Sequence, residues 1–304
     1  MNVDYRLQTE DGHELALYTR GNPEKPAVIF CHGGPGGAIS EQSFSFFDLE
    51  SWFVIAFDQR GCGQSTPFLS LNNNTVFSGA ADMERIRKFF RIDHWLVFGG
   101  SYGSTLALTY AIAHPERVVH LILRGIFLGR QADIHWLYQE GASYFYPEEH
   151  DRFKTLIPME KQGHLIDAYD TIFRQGSPAE REKALKNWAL WEGSIVRHIP
   201  EQSDASALTP GDRSLALLEC HFFVNGMFDD DNYILNHASR YQDIPMSIVH
   251  GRYDVDCRVS AAYELHQVSN SRLFIEEASG HSPYDSRMMQ RLQQIMIDLS
   301  HPSE

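Results

Sequence analysis

The segment Gly99-Gly100-Ser101-Tyr102-Gly103 fits the pattern G-x-S-x-G. It stands between an apolar run at 95–98 and a helical pattern at 104–114 that is stopped by Pro115. Glycines around a serine permit a strained strand-to-helix turn, which lifts the hydroxyl clear of its surroundings and points it at substrate. A serine hydroxyl is a weak nucleophile until a base takes its proton, and that base needs a third group to fix its tautomer. Two downstream segments offer these groups. Asp254 follows the apolar run 246–250 in His250-Gly251-Arg252-Tyr253-Asp254, and His281 follows the run 272–276 in Ser279-Gly280-His281-Ser282. Asp256, two residues further on, competes with Asp254 as the acid. Such a set performs acyl transfer.

The tetrahedral intermediate of that chemistry needs donors for its oxyanion. His32-Gly33-Gly34-Pro35-Gly36-Gly37 directly follows the apolar run Ala27–Cys31. Gly34 or its neighbour is expected to supply one backbone N–H, and Tyr102, next after the nucleophile, the second. The loop lacks the Lys-Ser/Thr and the G-x-G-x-x-G spacing of phosphate-binding loops, and no H-E-x-x-H occurs, so neither cofactor nor metal is expected. The chain order Ser, Asp, His is that of α/β-hydrolases.

These residues must be carried by a sheet. Ala27–Cys31 and Phe53–Phe57 are continuously apolar, as strands buried on both faces are; 15–19 is amphipathic, 82–90 has helical period, and 118–123 reads as a further strand. Strands alternating with helices predict an α/β fold with a mostly parallel sheet flanked by helices. From Phe127 to Arg240 strand signals give way to aromatic-rich helical stretches at 136–145, 179–191 and 215–223. Strands then return, and a terminal helix is expected with Ser282 as N-cap, Pro283 at its first position and Met288, Leu292, Ile295 and Leu299 as its buried stripe. A length of 304 residues suggests about two domains. The pattern predicts instead one α/β-hydrolase core, 1–126 with 241–304, interrupted by an all-helical cap at 127–240.

Forty acidic against 26 basic residues give a net charge of −14, which disfavours nucleic-acid and anionic membrane partners. Four cysteines without a CxxC pair fit a reducing compartment, and no apolar run reads as a signal peptide or membrane span. A cytoplasmic protein is expected; nothing in the sequence sets its oligomeric state.

Taken together, His32 to Gly37, Asp58-Gln59-Arg60-Gly61-Cys62-Gly63-Gln64-Ser65, Gly99 to Leu108 and His250 to Asp254 resemble the proline iminopeptidase (prolyl aminopeptidase) family, serine exopeptidases with an α/β-hydrolase core and a helical cap. The resemblance runs from the first strands to the terminal helix and includes Leu123-Arg124-Gly125-Ile126-Phe127. It implies release of N-terminal proline, or another small N-terminal residue, from small peptides through an acyl-enzyme on Ser101, with His281 as base and Asp254 as acid. An aminopeptidase must recognise a free ammonium group, for which a partly buried carboxylate is the natural counter-charge. Glu192, beside Trp191, and Glu219, in Leu218-Glu219-Cys220-His221-Phe222-Phe223, resemble the family's amine-binding glutamates. By the same resemblance Phe127, Leu137, Phe223 and Cys257 line an apolar slot for the proline ring, and Arg124 joins the substrate-binding set. Asp229-Asp230-Asp231 reads as a solvated loop. Three positions depart from the family pattern: Tyr102 replaces a tryptophan, Ala38 a glycine, and Leu137 a tyrosine, which bears on strict proline preference. The alternatives are a carboxylesterase or lactonase on the same fold and a non-catalytic scaffold; a scaffold typically lacks one of the three catalytic residues, all of which are present here.

Overall fold

Residues along a strand alternate between the two faces of a sheet, so a run buried at every position must be covered on both sides. The computed structural model, which describes residues 1–196 and 207–301, shows this arrangement. The strands β1 (Tyr5–Gln8), β2 (Glu14–Gly21), β3 (Ala27–Cys31), β4 (Phe53–Phe57), β5 (Trp95–Ser101), β6 (Val118–Ile126), β7 (Met246–Gly251) and β8 (Ser271–Glu276) form one sheet in the order β1-β2-β4-β3-β5-β6-β7-β8. β1 pairs antiparallel with β2, and β2 with β4; from β4 to β8 the sheet is parallel. Ile29, Ile55, Val97 and Leu121 face one core with Met83 and Ile86 of α1 (Val76–Phe89) and Leu106 and Tyr110 of α2 (Tyr102–Ala113). Their neighbours Val28, Val54, Leu96, Phe98 and Ile122 face the other, where Phe46, Phe47 and the terminal helix cover them.

Between β6 and β7 the described residues hold helices and no strand: α3 (Gln131–Tyr138), α4 (Pro147–Thr155), α5 (Leu165–Gln175), α6 (Pro178–Ile195), α7 (Pro210–Val224) and the short α8 (Tyr233–Asn236). Residues 197–206 of the expected cap and 302–304 of the expected core lie outside the description. These helices pack on one another through rings: Phe153 and Tyr169 stack at 4.4 Å, and Tyr138 lies 4.6 Å from Trp188. The helix expected at 136–145 ends early. Gly141 sits at φ 159° with the Trp136 indole 2.5 Å from where a Cβ would stand, so the chain leaves the helix after Tyr138 to pack that ring.

After β7 comes α9 (Val259–Gln267), and after β8 the terminal helix α10 (Ser286–Ser300). Ser282 is not its N-cap. Residues 282–285 form a turn, with Asp285 N–H donating to Ser282 O at 3.3 Å and Tyr284 N–H to Ser282 Oγ at 3.2 Å. Asp285 instead precedes the helix, and its carboxylate accepts the Gly280 N–H at 2.7 Å, which ties the His281 loop to the helix start. The expected stripe holds: Met288, Leu292 and Ile295 are buried, with Leu299 packed beside them. No helix among the described residues is long and apolar enough to cross a membrane.

Candidate active site

The G-x-S-x-G glycines are required by contact. A Cβ on Gly99 would stand 2.2 Å from Gly103 O, and one on Gly103 would stand 2.3 Å from Cys31 O. β5 can therefore turn directly into α2, and Ser101 takes φ 57°, ψ −131° at the junction. That left-handed conformation in a serine is strained, and the strain projects its side chain from the carboxyl edge of the sheet. Ser104 Oγ braces the turn by donating to Ser101 O at 2.6 Å and accepting the Phe127 N–H at 3.2 Å. The Tyr102 ring is buried edge-on against Phe222 at 5.4 Å, so the departure from the family pattern at this position falls on a packing side chain.

His281 and Asp254 meet at the ends of β8 and β7. His281 Nδ1 lies 2.8 Å from Asp254 Oδ2, and Asp254 Oδ1 accepts the Cys257 N–H at 2.7 Å. Arg124 Nη1, on β6, donates to His281 O at 2.7 Å and stands 3.3 Å from His281 Nε2. A guanidinium only donates, so Nε2 is the acceptor and the proton sits on Nδ1, facing Asp254. That is the tautomer a serine base requires. Asp256 Oδ2 lies 3.6 Å from Nε2, on the other side of the ring from Asp254. Gly125, at φ 51°, lets the backbone pass: a Cβ there would stand 2.9 Å from His281 Cε1. Ser101 and His281 line one cavity with no Oγ–Nε2 hydrogen bond closed between them.

The glycine loop is held from two sides. His32 Nδ1 donates to Gly33 O at 2.8 Å while its Nε2 accepts the Gln59 N–H at 3.1 Å. Asp58 accepts the Ile39 N–H at 2.8 Å, the Gln64 N–H at 2.7 Å and the Tyr18 hydroxyl at 2.7 Å. Gly33 lies against Ser101, since a Cβ on it would be 3.1 Å from Ser101 Cβ. The loop also touches α7, where Ser214 Oγ donates to Gly36 O at 2.8 Å.

The cavity measures about 170 Å³. Its sheet side is Gly33, Gly34, Ser101, Arg124, Asp256 and His281; its helical side is Phe127, Leu137, Glu192, Val196, Leu215, Glu219 and Phe223. Cys257 does not line it. Its backbone N–H is turned onto Asp254, and its thiol lies 3.5 Å from Asp256 Oδ1 behind the wall. Asp256, Cys257 and His281 bring ligand-type atoms within 4.8 Å of one another, but burial keeps the thiol protonated and His281 Nδ1 is engaged by Asp254, so the cluster does not read as a metal site.

Both glutamates are buried, which disfavours their charged forms. Tyr138 Oη lies 2.5 Å from Glu192 Oε1 and 3.0 Å from Glu219 Oε2, and Trp188 Nε1 donates to Glu219 Oε2 at 2.7 Å. Burial, and then the nearby Asp256 charge, push Glu192 up to about 8. Burial, and then the Glu192 charge, raise Glu219 well above the usual carboxylate range.

A family model described as alpha/beta hydrolase fold matches residues 26–287. A proline iminopeptidase from Xylella fastidiosa is 40% identical over 290 residues, 94% of this chain and 93% of that protein. A proline iminopeptidase from Xanthomonas citri is 40% identical over 288 residues, 92% and 90% of the two chains. The chain belongs to the proline iminopeptidase family of α/β-hydrolases. Among solved structures, an esterase from Exiguobacterium antarcticum shares the fold at a TM-score of 0.62 and 17% identity, covering 97% of this chain and 98% of that one.

Within this member of the family, four side chains at the site carry no expectation of substrate contact from the sequence. Tyr138 and Trp188 sit in aromatic-rich helices where rings ordinarily read as core. Asp256 reads there only as a rival acid, yet it lines the cavity. His250 lies beneath Asp254: it is buried, its Nδ1 accepts the Ile126 N–H at 3.1 Å, and its Nε2 stands 2.9 Å from Cys257 O. The signal for His250 is its place in the segment that also carries Asp254.

Burial lowers His281 to about 4 and lifts Asp254 to about 6, so near neutrality the pair carries one negative charge, with His281 neutral. A base must be unprotonated, so turnover is present above the pair's proton uptake and lost as pH falls through it. With an uncharged acyl ester, kcat/KM should stay level from pH 8 towards 6 and fall on an acid limb at or below about 6. A limb centred above 7 would contradict this.

Proposed function

We propose that this protein is a serine aminopeptidase that releases N-terminal proline from small peptides, with Ser101, His281 and Asp254 as its catalytic triad. The observation that carries this reading is the pair Glu192 and Glu219, buried on helices α6 and α7 and lining the same cavity of about 170 Å³ as Ser101. A space of that size, closed by carboxyl groups, suits one small residue with a cationic end.

In the proposed cycle Ser101 Oγ attacks the prolyl carbonyl carbon as its proton passes to His281 Nε2. The oxyanion is received by the Tyr102 N–H and an N–H of the Gly34 region. His281 then gives its proton to the leaving amine, the C–N bond breaks, and an acyl-enzyme remains. Water attacks that ester with His281 again as base; proline leaves and the serine recovers its proton. Arg124 holds the His281 loop and lines the space next to Nε2. Phe127, Leu137 and Phe223 bound the ring slot. Leucine at 137 offers no hydroxyl, so other small apolar residues should also be accepted. In this reading 127–240 form a cap over a core of 1–126 and 241–304, and the four buried free cysteines fit a cytoplasmic location.

A panel of aminoacyl arylamides tests the activity: proline should be released fastest, and short acyl esters should not outpace it. Glu219→Gln should raise KM about tenfold for substrates with a free imino group, by loss of a carboxyl acceptor at the cationic end, and leave N-acetylated ones nearly unaffected. Equal loss on both would assign Glu219 a purely structural role.

A further inference from the structure

Tyr138 has one hydroxyl proton and faces two carboxyl groups. Its oxygen lies 2.5 Å from Glu192 Oε1 and 3.0 Å from Glu219 Oε2. A phenol donates a single hydrogen bond, so it can satisfy only one of these oxygens; the second contact requires a proton on the carboxyl side. Trp188 Nε1, a donor only, already serves Glu219 Oε2 at 2.7 Å. Tyr138 and Trp188 are fully buried, Glu219 is 3% exposed and Glu192 6%. Two bare carboxylates sharing one phenol in such surroundings would repel each other with little solvent between them.

The groups around the pair do not remove this repulsion. Asp256, from the turn after β7, adds a further negative charge acting on both glutamates. Arg124, on β6, is engaged by the carbonyl and Nε2 of His281, which is itself neutral. His150, on α4, meets Tyr138 only through its backbone carbonyl, at 2.9 Å, and burial keeps it neutral. Among the described residues no lysine or arginine forms an ion pair with either glutamate.

We propose that Glu192 and Glu219 share one proton through Tyr138 in the free enzyme, so that the pair carries a single negative charge and Tyr138 positions it for a single ammonium. This rests on the amine-binding reading of the two glutamates given above. On binding, no proton need be lost or gained: the substrate's positive charge meets one negative charge, and its N–H groups meet the remaining carboxyl oxygens. The direction in which burial moves both groups agrees with this.

Glutamine mimics a protonated carboxyl in shape and charge, so replacing one glutamate leaves the pair's single charge in place. KM for a proline arylamide near pH 7, read against an uncharged acyl ester, should rise about tenfold in Glu192→Gln and in Glu219→Gln. In the double variant it should rise beyond the roughly hundredfold product of independent effects, because the last charge is gone. Infrared spectra of the wild-type protein should show a protonated carboxyl band near pH 7 that titrates at higher pH. In Tyr138→Phe, which removes the hydroxyl that favours the charged form, that titration should move to higher pH, with KM for the arylamide affected more than kcat. Single effects that simply multiply, together with no titrating carboxyl band above pH 6 in the wild type, would overturn proton sharing while leaving amine binding intact. A double variant whose KM ratio equals that of the wild type would overturn the amine-binding reading itself.

Discussion

Replacing Ser101 by alanine should lower release of a chromophore from a proline arylamide by roughly 10⁶-fold, with the remaining rate coming from binding and the oxyanion donors. The geometry makes this a clean experiment. Alanine keeps the Cβ, so it carries the same strained φ of 57° that serine carries, and the glycine contacts around the turn are untouched. The backbone brace also survives, because Ser104 Oγ donates to the carbonyl of residue 101 and not to its side chain. The change removes the attacking oxygen and little else, so the thermal transition should move little while turnover disappears. A reagent that phosphonylates activated serines should label the wild type and leave the variant unlabelled. Turnover surviving at the wild-type rate would eliminate Ser101 as nucleophile.

The features most readable in the sequence were those imposed by burial and by close backbone approach. Phe53–Phe57 is buried at every position because it lies inside a sheet covered on both faces, and a continuous apolar run is what that demands. Gly99 and Gly103 mark the elbow because any Cβ there would collide with a carbonyl oxygen. What escaped the sequence depends on tertiary packing. β1 alternates weakly, with three of its four residues exposed, and joins the sheet only by pairing with β2. The end of α3 is set by the Trp136 ring over Gly141, a contact no propensity encodes. Ser282 and Pro283 have the composition of a helix start, but the need to bring His281 back onto Asp254 places them in a turn that Asp285 closes through Gly280. Tyr138 was invisible for a similar reason. A tyrosine among aromatic helices reads as packing, and only the approach of α6 and α7 gives its hydroxyl two carboxyl groups to face.

The two aspartates on the turn after β7 should separate by the kinetic constant they affect. Asp254→Asn should lower kcat by roughly 10⁴-fold with a modest change in KM. An asparagine can keep its oxygen on the Cys257 N–H, which leaves its amide to face His281 Nδ1. A donor there drives the ring proton to Nε2, the nitrogen that must accept the serine proton. Arg124 makes that tautomer worse still, because its Nη1 stands 3.3 Å from Nε2 and can only donate. The variant therefore faces donors on both sides of a ring that must accept on one. Asp256 touches neither Nδ1 nor the Cys257 amide; its oxygen stands 3.6 Å from Nε2 and its charge acts on Glu192 and Glu219. Asp256→Asn should thus alter KM for free-imino substrates by about tenfold or less, with kcat on uncharged esters largely retained. Should the 10⁴-fold loss in kcat appear at Asp256 and not at Asp254, the assignment of the triad acid would be reversed. The distances argue against that outcome, since hydrogen bonding at 2.8 Å to Nδ1 fixes a tautomer and a carboxylate 3.6 Å from Nε2 cannot.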